Sequence, residues 1–301
     1  MRALVVVVVV VLGLGLGGCS AGTGAAGHAM SPSAGRAPLS LAADERMVAI
    51  PEGRYVNGST PEERAVALED LQAVAGEDAS RAQKRFEHEA DRRSAQLPAF
   101  RIDLMPVTQA QFAEMVSIEH LAAPTIDEAG WKAQGLPHDY ASEVARFAWS
   151  AGKPPDGRED HPVVLVTWSE ADRYCAWRGA LRGDKRRLPT ADEIEKVARG
   201  EDGLAYPWGN TFEADKLNSA VKGVGDTMPV GSYAAGASPY GVLDVAGNVF
   251  QWTSTADGDE MVIKGSGWDS LPGVGRGASF DRRPKAVRDV VVGFRCAADG
   301  P

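Results

Sequence analysis

The alternation of apolar and polar positions predicts three short strands in this chain. Residues 47–50 form an apolar run that stops at Pro51 and Gly53, two residue types that end regular structure. Residues 97–104 alternate between apolar and polar side chains, which is the period of a half-buried strand. The run Val163-Val164-Leu165-Val166 is apolar throughout and therefore predicts a strand that is buried on both faces.

Helical spacing accompanied by a start signal appears in the middle of the chain. Thr108 is predicted to be the N-cap of a helix whose Phe112 and Met115 lie three residues apart on one face. A second helix is predicted to begin at Ser169, with Asp172 three residues later as a variant of the capping box. Both helices would pack an apolar face against the core.

A third helix carries the clearest start and stop signals in the sequence. It is predicted to begin at Thr190, with Glu193 in the capping-box position. Ile194 and Val197 then follow at helical spacing, and Gly200 ends the helix. This helix is expected to be part of the core scaffold.

Two stretches interrupt the pattern of strands and helices. Residues 61–96 are rich in Ala, Glu, Arg and Gln without a strong apolar stripe, which predicts an inserted, solvated helix outside the core. Residues 117–160 are polar with scattered aromatic side chains, and their spacing indicates no function. Beyond Gly203 turn residues dominate, so the C-terminal part is predicted to be irregular.

The first residues have the features of a bacterial lipoprotein signal. A basic residue precedes an apolar stretch that ends in Leu16-Gly17-Gly18-Cys19, a small-residue cleavage site followed by cysteine. Residues 1–18 would be the signal peptide, Cys19 the acylated N-terminus, and residues 19–45 a flexible tether to a folded domain over residues 46–301. We therefore expect a cell-envelope protein anchored to a bacterial membrane by lipid, facing the periplasm or the cell surface. A transmembrane helix over the apolar stretch is the alternative.

Composition excludes one class of partner. The 301 residues carry a formal net charge of -9, with a pI near 5.2. No stripe of Lys and Arg with interleaved aromatic side chains offsets this charge, so nucleic acid is not an expected partner. Thirty-four glycines and eighteen prolines indicate a loop-rich fold.

Four strings in the C-terminal half occur in a characteristic order and spacing. They are Arg187-Leu188-Pro189-Thr190, Tyr206-Pro207-Trp208-Gly209-Asn210, Gly247-Asn248-Val249-Phe250-Gln251-Trp252-Thr253 and Gly293-Phe294-Arg295-Cys296. Together they resemble the formylglycine-generating enzyme family, also called the sulfatase-modifying factors. Lys264-Gly265-Ser266-Gly267-Trp268 stands where that family usually has Arg-Gly-Gly-Ser-Trp. The resemblance implies an α+β, C-type-lectin-like irregular fold with little regular secondary structure.

Cysteine usage bears on both the fold and the chemistry. Once Cys19 is lipidated, Cys175 and Cys296 remain in an oxidising compartment, where we expect them to pair. The resemblance places them at positions that form a structural disulfide in some family members. A redox-active or metal-binding thiol is the alternative, although neither cysteine lies in a Cys-x-x-Cys or mixed Cys/His spacing.

The resemblance also implies calcium, an ion that prefers carboxylate, amide and carbonyl oxygens. The implied ligands of one site are the side chains of Asp244 and Gln251 and the carbonyls of Gly247 and Val249. Gln251 stands where the family often has Glu, and loss of an anionic ligand should weaken binding. A second site is implied at Asn218 and the carbonyl of Ser219, with Asp226 as the only nearby carboxylate. The alternative for the first site is a structural turn without metal.

Copper is not expected, although the resemblance is to an oxidase family. The oxidase holds Cu(I) with two thiolates that follow the tryptophan equivalent to Trp268, and thiolates are the ligands that select this ion. Between Lys264 and Arg295 the chain has no cysteine, histidine or methionine, and Ser270 is too hard a ligand to substitute. The five histidines show no metal-binding spacing, and His161 is interpreted as a structural residue. Formylglycine generation is therefore not expected.

The remaining hypothesis is a pocket without identified catalytic residues. The family strings could line it with Phe250, Trp252, Trp268, Ser270 and Arg295, and Trp208 could contribute, although Trp208 and Trp268 are typical core residues. One function is a membrane-tethered enzyme that acts on an exported peptide or small molecule without the cysteine pair. The others are a non-catalytic binding or scaffold lipoprotein and a true formylglycine-generating enzyme. Titratable groups that converge in the pocket would favour the enzyme, and a purely aromatic groove would favour binding.

Overall fold

Ten short strands form three sheets in the computed structural model, which describes residues 46–75 and 80–300 but not the side chains of residues 80–83. The predicted signal peptide 1–18, the lipidated Cys19 and the tether 19–45 lie outside the described residues. The strands are β1 (Met47–Ile50), β2 (Gly53–Asn57), β3 (Arg93–Leu97), β4 (Phe100–Asp103), β5 (Arg186–Arg187), β6 (Phe250–Asp257), β7 (Glu260–Gly265), β8 (Phe280–Pro284), β9 (Val292–Gly293) and β10 (Ala297–Asp299).

The sheets bring the two ends of the described chain together. One sheet has the antiparallel order β1-β4-β10-β5, a second pairs β2 with β3, and the third has the order β8-β7-β6-β9. In the first sheet Val48 lies opposite Ile102, and the alternating Phe100 and Ile102 are buried. The strand predicted over residues 97–104 is interrupted at Pro98, because proline cannot donate to a ladder.

The described part of the chain also has six α-helices. They are α1 (Pro61–Ala75), α2 (Ser80–Glu87), α3 (Gln109–Ile118), α4 (Glu128–Gln134), α5 (Trp168–Arg182) and α6 (Ala191–Arg199). Thr108 caps α3 and Thr190 caps α6, as predicted, and each lies within a complete capping box. Over the same residues, no helix has the length and apolar character needed to cross a membrane.

The N-cap of helix α5 lies two residues earlier than predicted. Thr167 is its N-cap, since its hydroxyl accepts the N–H of Glu170 and the Glu170 carboxylate accepts the N–H of Thr167. The predicted start at Ser169 with Asp172 is therefore wrong. A threonine with a glutamate three residues later forms the full capping box, and the sequence offers it two positions upstream.

The apolar run 163–166 is fully buried but is not a strand. Leu165 adopts a positive φ of 60°, which breaks the extended conformation. The N–H groups of Val163 and Leu165 donate instead to the carbonyls of Val107 and Asp289. Burial was predictable from the apolar run, whereas its backbone path is set by partners far away in sequence.

The insertion predicted over residues 61–96 is not a solvated helix outside the core. It consists of helices α1 and α2, and its last residues belong to strand β3. Ala67, Leu71 and Phe86 are at most 2% exposed and belong to the larger hydrophobic cluster. The buried face is only one or two residues wide per turn, which explains why no apolar stripe is visible in the sequence.

A disulfide between Cys175 and Cys296 joins helix α5 to the strand region of the first sheet, with the two Cα atoms 5.5 Å apart. Both sulfurs lie in the larger cluster, where the rings of Phe112, Tyr174 and Phe294 pack against one another. The expected pairing is therefore present. It places the last family string directly beside α5.

Candidate functional site at Trp268

Trp268 lies just beyond the end of β7, where the fifth family-like string closes. Its ring is 3% exposed, and its Nε1–H donates to the carbonyl of Val290 at 3.3 Å. The residues that cover it come from the polar stretch 117–160: the His138 ring lies 5.0 Å from the Trp268 ring, and the Phe147 ring lies 6.3 Å from it. A segment without predicted function therefore forms the outer wall of this site.

His138 bridges two carboxylates at this wall. Its Nε2 lies 3.1 Å from Oδ2 of Asp269, and its Nδ1 lies 3.4 Å from Oε1 of Glu143. The histidine side chain is 11% exposed, while those of Asp269 and Glu143 are 31% and 39% exposed. The three groups thus form a titratable cluster that is ordered by the protein and open to solvent on the carboxylate side.

The backbone around His138 is fixed by hydrogen bonds from neighbouring side chains. Trp131, on α4, donates its Nε1–H to the carbonyl of His138 at 2.7 Å. The N–H of Asp139 donates to the Glu143 carboxylate at 2.9 Å, so Glu143 is held on the other side of the ring. The imidazole is therefore oriented before any ligand arrives.

The electrostatic surroundings favour a protonated imidazole. The hydrogen bond to Asp269 raises the pKa of His138 above its usual value, burial lowers it in part, and Glu143 adds to the rise. An imidazole held between two carboxylates can accept, keep and return a proton. This is the chemistry that the arrangement can perform.

His138 was not identified from the sequence. It lies five residues before Glu143 but 131 residues before Asp269, so no spacing rule connects the three. The available signal was the position of Asp269, directly after Trp268. His161, in contrast, donates to or accepts from Thr227 at 2.8 Å, and burial lowers its pKa, which agrees with a structural role.

The residues predicted to line a pocket lie in the interior. Phe250, Trp252 and Arg295 are at most 3% exposed. Ser270 is 8% exposed, and its Oγ accepts the N–H of Gly267 at 3.0 Å. Trp208 is half-buried and stacks on Tyr206, with the ring centres 5.3 Å apart. These side chains do not form an aromatic groove.

A cavity of about 360 Å³ opens at the N-terminus of α3, away from Trp268. Its walls are apolar and its edges charged: the lining includes Leu104, Met105, Val107, Tyr174, Pro229 and Val230, with Arg46, Asp103, Asp160, Arg178 and Arg186. None of the predicted pocket residues lines it. A volume of this size suits a small organic molecule.

The implied ligands of the first calcium site are close together, but Gln251, Gly247 and Asp244 each already direct an oxygen to another partner. The Gln251 amide oxygen accepts from Nε of Arg295, and the Gly247 carbonyl accepts the N–H of Val249 at 2.9 Å. Oδ2 of Asp244 accepts the N–H of Gly231 at 2.7 Å, and burial raises the pKa of Asp244. The residues therefore do not fit a calcium ion in this arrangement.

The residues of the second implied calcium site offer even less negative charge. Oδ1 of Asn218 is buried without a hydrogen-bond partner, which is compatible with a cation, whereas the carbonyl of Ser219 accepts the N–H of Lys222 at 3.1 Å. The one carboxylate expected nearby, Asp226, is instead held by both terminal nitrogens of Arg158, and Nε of Arg146 lies 3.6 Å from it. Two neutral oxygens are a poor set for calcium.

Comparisons with known proteins identify the relatives of this chain. The sequence profile described as "Sulfatase-modifying factor enzyme 1-like domain" matches residues 36–300. Inactive C-alpha-formylglycine-generating enzyme 2 of Bos taurus is 31% identical over 246 residues, which covers 68% of this chain and 79% of that protein. Hercynine oxygenase of Mycolicibacterium smegmatis is 29% identical over 266 residues, which covers 75% of this chain and 59% of that protein.

Solved structures support the same assignment of the fold. The structure of PvdO from Pseudomonas aeruginosa superposes with a TM-score of 0.59 at 22% identity, covering 84% of this chain and 94% of that chain. The expected α+β fold is confirmed. One curated relative is called inactive and another an oxygenase, so the relatives differ in activity among themselves.

Proposed function

Because the chain belongs to the formylglycine-generating enzyme family, also called the sulfatase-modifying factors, we propose that it acts on an exported peptide or small molecule by acid–base chemistry at His138. The supporting observation is the clamp of Asp269 and Glu143 around His138, directly against Trp268. Convergence of titratable groups at this position is what an enzyme requires and a purely aromatic binding groove lacks.

In the mechanism, Asp269 orients the imidazole, and a polar group of the substrate displaces Glu143 from Nδ1 of His138. Asp269 accepts the Nε2–H of His138 and keeps the ring in one orientation whether or not Nδ1 carries a proton. The 3.4 Å separation between Nδ1 and Glu143 is long for a charged hydrogen bond, so a substrate polar group can take the place of that carboxylate. Nδ1 then transfers its proton to the substrate or takes one from it.

Copper-thiolate chemistry has no ligands in this site. Cys175 and Cys296, the two cysteines among the described residues, are joined to each other and supply no thiolate. Asp269 and Ser270 follow Trp268 and present oxygen, which is a hard ligand that does not select Cu(I). Incubation with a cysteine-containing sulfatase peptide and copper should leave the peptide unchanged, and formylglycine in the product would contradict this part of the proposal.

The proposed location is the bacterial cell envelope. The signal over residues 1–18 and Cys19 would place the domain outside the cytoplasm on a lipid anchor, which agrees with the disulfide. Replacement Cys19→Ala should move the protein from the membrane fraction to the soluble fraction. Retention in the membrane would contradict a lipid anchor.

The catalytic part of the proposal can be tested without knowing the substrate. A strain that lacks the protein is complemented with wild type, His138→Gln or the control His161→Gln, and exported peptides and small molecules are compared by mass spectrometry. We expect His138→Gln to resemble the deletion and His161→Gln to resemble wild type at equal protein levels. Full complementation by His138→Gln would exclude an acid–base role for His138.

A second candidate function, ligand binding without catalysis, is favoured by the cavity beside α3. Val230 lines this cavity, whereas Val224 is exposed nearby in sequence and does not. Native mass spectrometry of protein purified from the envelope should show a bound small molecule in wild type and in Val224→Trp, and none in Val230→Trp. Absence of any bound molecule from wild type would remove this candidate.

A further inference from the structure

The Arg295 guanidinium is completely buried and surrounded by oxygen atoms. All five of its N–H groups have a partner in the described part of the chain: Nε donates to Oε1 of Gln251, Nη1 to the carbonyls of Asp103 and Leu104, and Nη2 to those of Leu243 and Asp244. Four carbonyl oxygens and one amide oxygen are the kind of ligand shell that proteins build around a hard cation. Here the cation is a side chain.

The charge on this side chain is retained at neutral pH. Burial lowers the pKa of Arg295 to about 10, while Asp244 and Asp103 oppose this change. Asp103 also accepts the N–H of Cys296 through Oδ2, so its carboxylate stays beside the last family string. The guanidinium is therefore a permanent positive charge with two acids nearby.

The ligands of Arg295 connect parts of the chain that are far apart in sequence. Asp103 ends strand β4, Leu243 and Asp244 lie in the loop before the third string, and Gln251 lies on β6. Arg295 itself adjoins the disulfide at Cys296. One positive charge thus holds two sheets and a loop together.

Calcium would have to compete with this guanidinium for the amide oxygen of Gln251, which is the one oxygen that both would use. Oε1 of Gln251 accepts from Nε of Arg295 and cannot bind a metal ion strongly at the same time. The Nε2 of Gln251 already donates to the Asp244 carbonyl at 2.9 Å. A divalent cation at this position would also face a buried positive charge with little solvent screening. The neutral Gln251, which stands where the family often has Glu, adds no compensating charge.

We propose that Arg295 is the structural cation of this chain at Asp244 and Gln251, in the position where the family resemblance implied calcium. The arginine pair at Asp226 has the same effect at the second implied position, because Arg158 and Arg146 neutralise the nearby carboxylate. The folded state then requires no calcium at either place. This inference is independent of the chemistry proposed at His138.

The first test measures the melting temperature of the full chain in millimolar calcium chloride and in EGTA. A site filled at a hundredfold excess over its Kd would raise the melting temperature by roughly 5 to 10 °C. We expect a difference below about 1 °C, which is too small for such a site. A rise of several degrees in wild type that disappears in Asp244→Asn would overturn the inference.

The second test replaces the planar guanidinium of Arg295 by an ammonium of the same charge. In Arg295→Lys the ammonium has three donors and cannot reach five oxygens, so buried carbonyls lose their partners. We expect the melting temperature to fall by roughly 8 to 15 °C, with no recovery in calcium. The control is Arg187→Lys, because Arg187 is partly exposed and pairs with Glu193 and Asp299. The melting temperature of this variant should fall much less. Equal losses in the two variants would contradict a special role for Arg295.

Discussion

The insertion should stabilise the whole domain through the ion pair between Glu89, which lies two residues beyond α2, and Arg276. The Glu89 side chain is 0% exposed and that of Arg276 is 4% exposed, and two N–H···O contacts of 3.0 and 3.2 Å join them. Ser59 adds a third hydrogen bond to Glu89 at 2.5 Å. Breaking a buried pair by removing one partner costs about 3 to 5 kcal/mol, because the other charge stays buried without a counterion.

Replacement Glu89→Gln should therefore lower the free energy of unfolding by about 2 to 4 kcal/mol, since the amide keeps the shape and part of the hydrogen bonding. For a domain of this size the melting temperature would fall by roughly 5 to 15 °C. Urea unfolding followed by circular dichroism gives the free energy of unfolding, and a thermal melt gives the melting temperature. The matched control is Asp91→Asn, which breaks the pair with Arg64 where Asp91 is 94% exposed. It should have little effect.

A double-mutant cycle distinguishes the pair from general packing. Glu89→Leu with Arg276→Met replaces both charges by apolar side chains, and this double variant should be more stable than Arg276→Met alone, which leaves Glu89 buried and charged. Additive losses would show that the two residues do not interact. If Glu89→Gln lowered the free energy of unfolding by less than about 1 kcal/mol, the pair would not be buried. The insertion would then be the solvated helix that its sequence indicates.

Two further predictions concern the disulfide and His138. Because Cys175 and Cys296 are 121 residues apart, the double replacement by Ala should cost up to about 5 kcal/mol in the loop-entropy model, and a reducing agent should destabilise wild type but not the double variant in urea titrations. His138 has a pKa raised above 6.5 in the folded state, so its ion pairs stabilise the fold fully below pH 6.5, and this contribution is lost as pH rises through the folded-state pKa. The stability difference between wild type and His138→Asn should therefore shrink from pH 6 towards higher pH, and a difference that grows instead would contradict the pKa direction.

Local signals in the sequence were sufficient where the interaction itself is local. Thr108 and Thr190 cap their helices as predicted, and in each case the capping contacts join residues three apart. The apolar run 163–166 was buried as expected, but its backbone bonds to Val107 and Asp289 depend on contacts that no window of sequence contains. The insertion was misjudged for the same reason, since its buried contacts are few and distant.

The candidate site shows this limit more sharply. Asp269 could be noticed because it follows Trp268, but His138 comes from a stretch with no periodicity and no motif. The two meet because the segment around α4 folds over the Trp268 ring, which is a property of tertiary packing. Family resemblance gave the fold and the disulfide, while the acid–base pair required the structure.

The family strings form part of the buried scaffold, and the proposed acid–base site at His138 lies beside them. The polar atoms of Trp252 and Trp268 donate to the carbonyls of Val166 and Val290, and both rings are at most 3% exposed. A buried side chain whose donor is already bonded inside the protein has no group left for a substrate. The strings are therefore compatible with several activities, and relatives called inactive and oxygenase agree with this.

What distinguishes one member from another must then be sought among the partly exposed groups at the edge of the scaffold. In the oxidase the residues after the tryptophan supply thiolates, whereas here they supply the carboxylate of Asp269, and a carboxylate positions an imidazole instead of binding copper. The polar stretch 117–160 brings His138 to that carboxylate. Because the hydrogen bond to Asp269 is the largest cause of the raised pKa of His138, Asp269→Asn should lower that pKa, measured by NMR, while leaving the pKa of His161 unchanged.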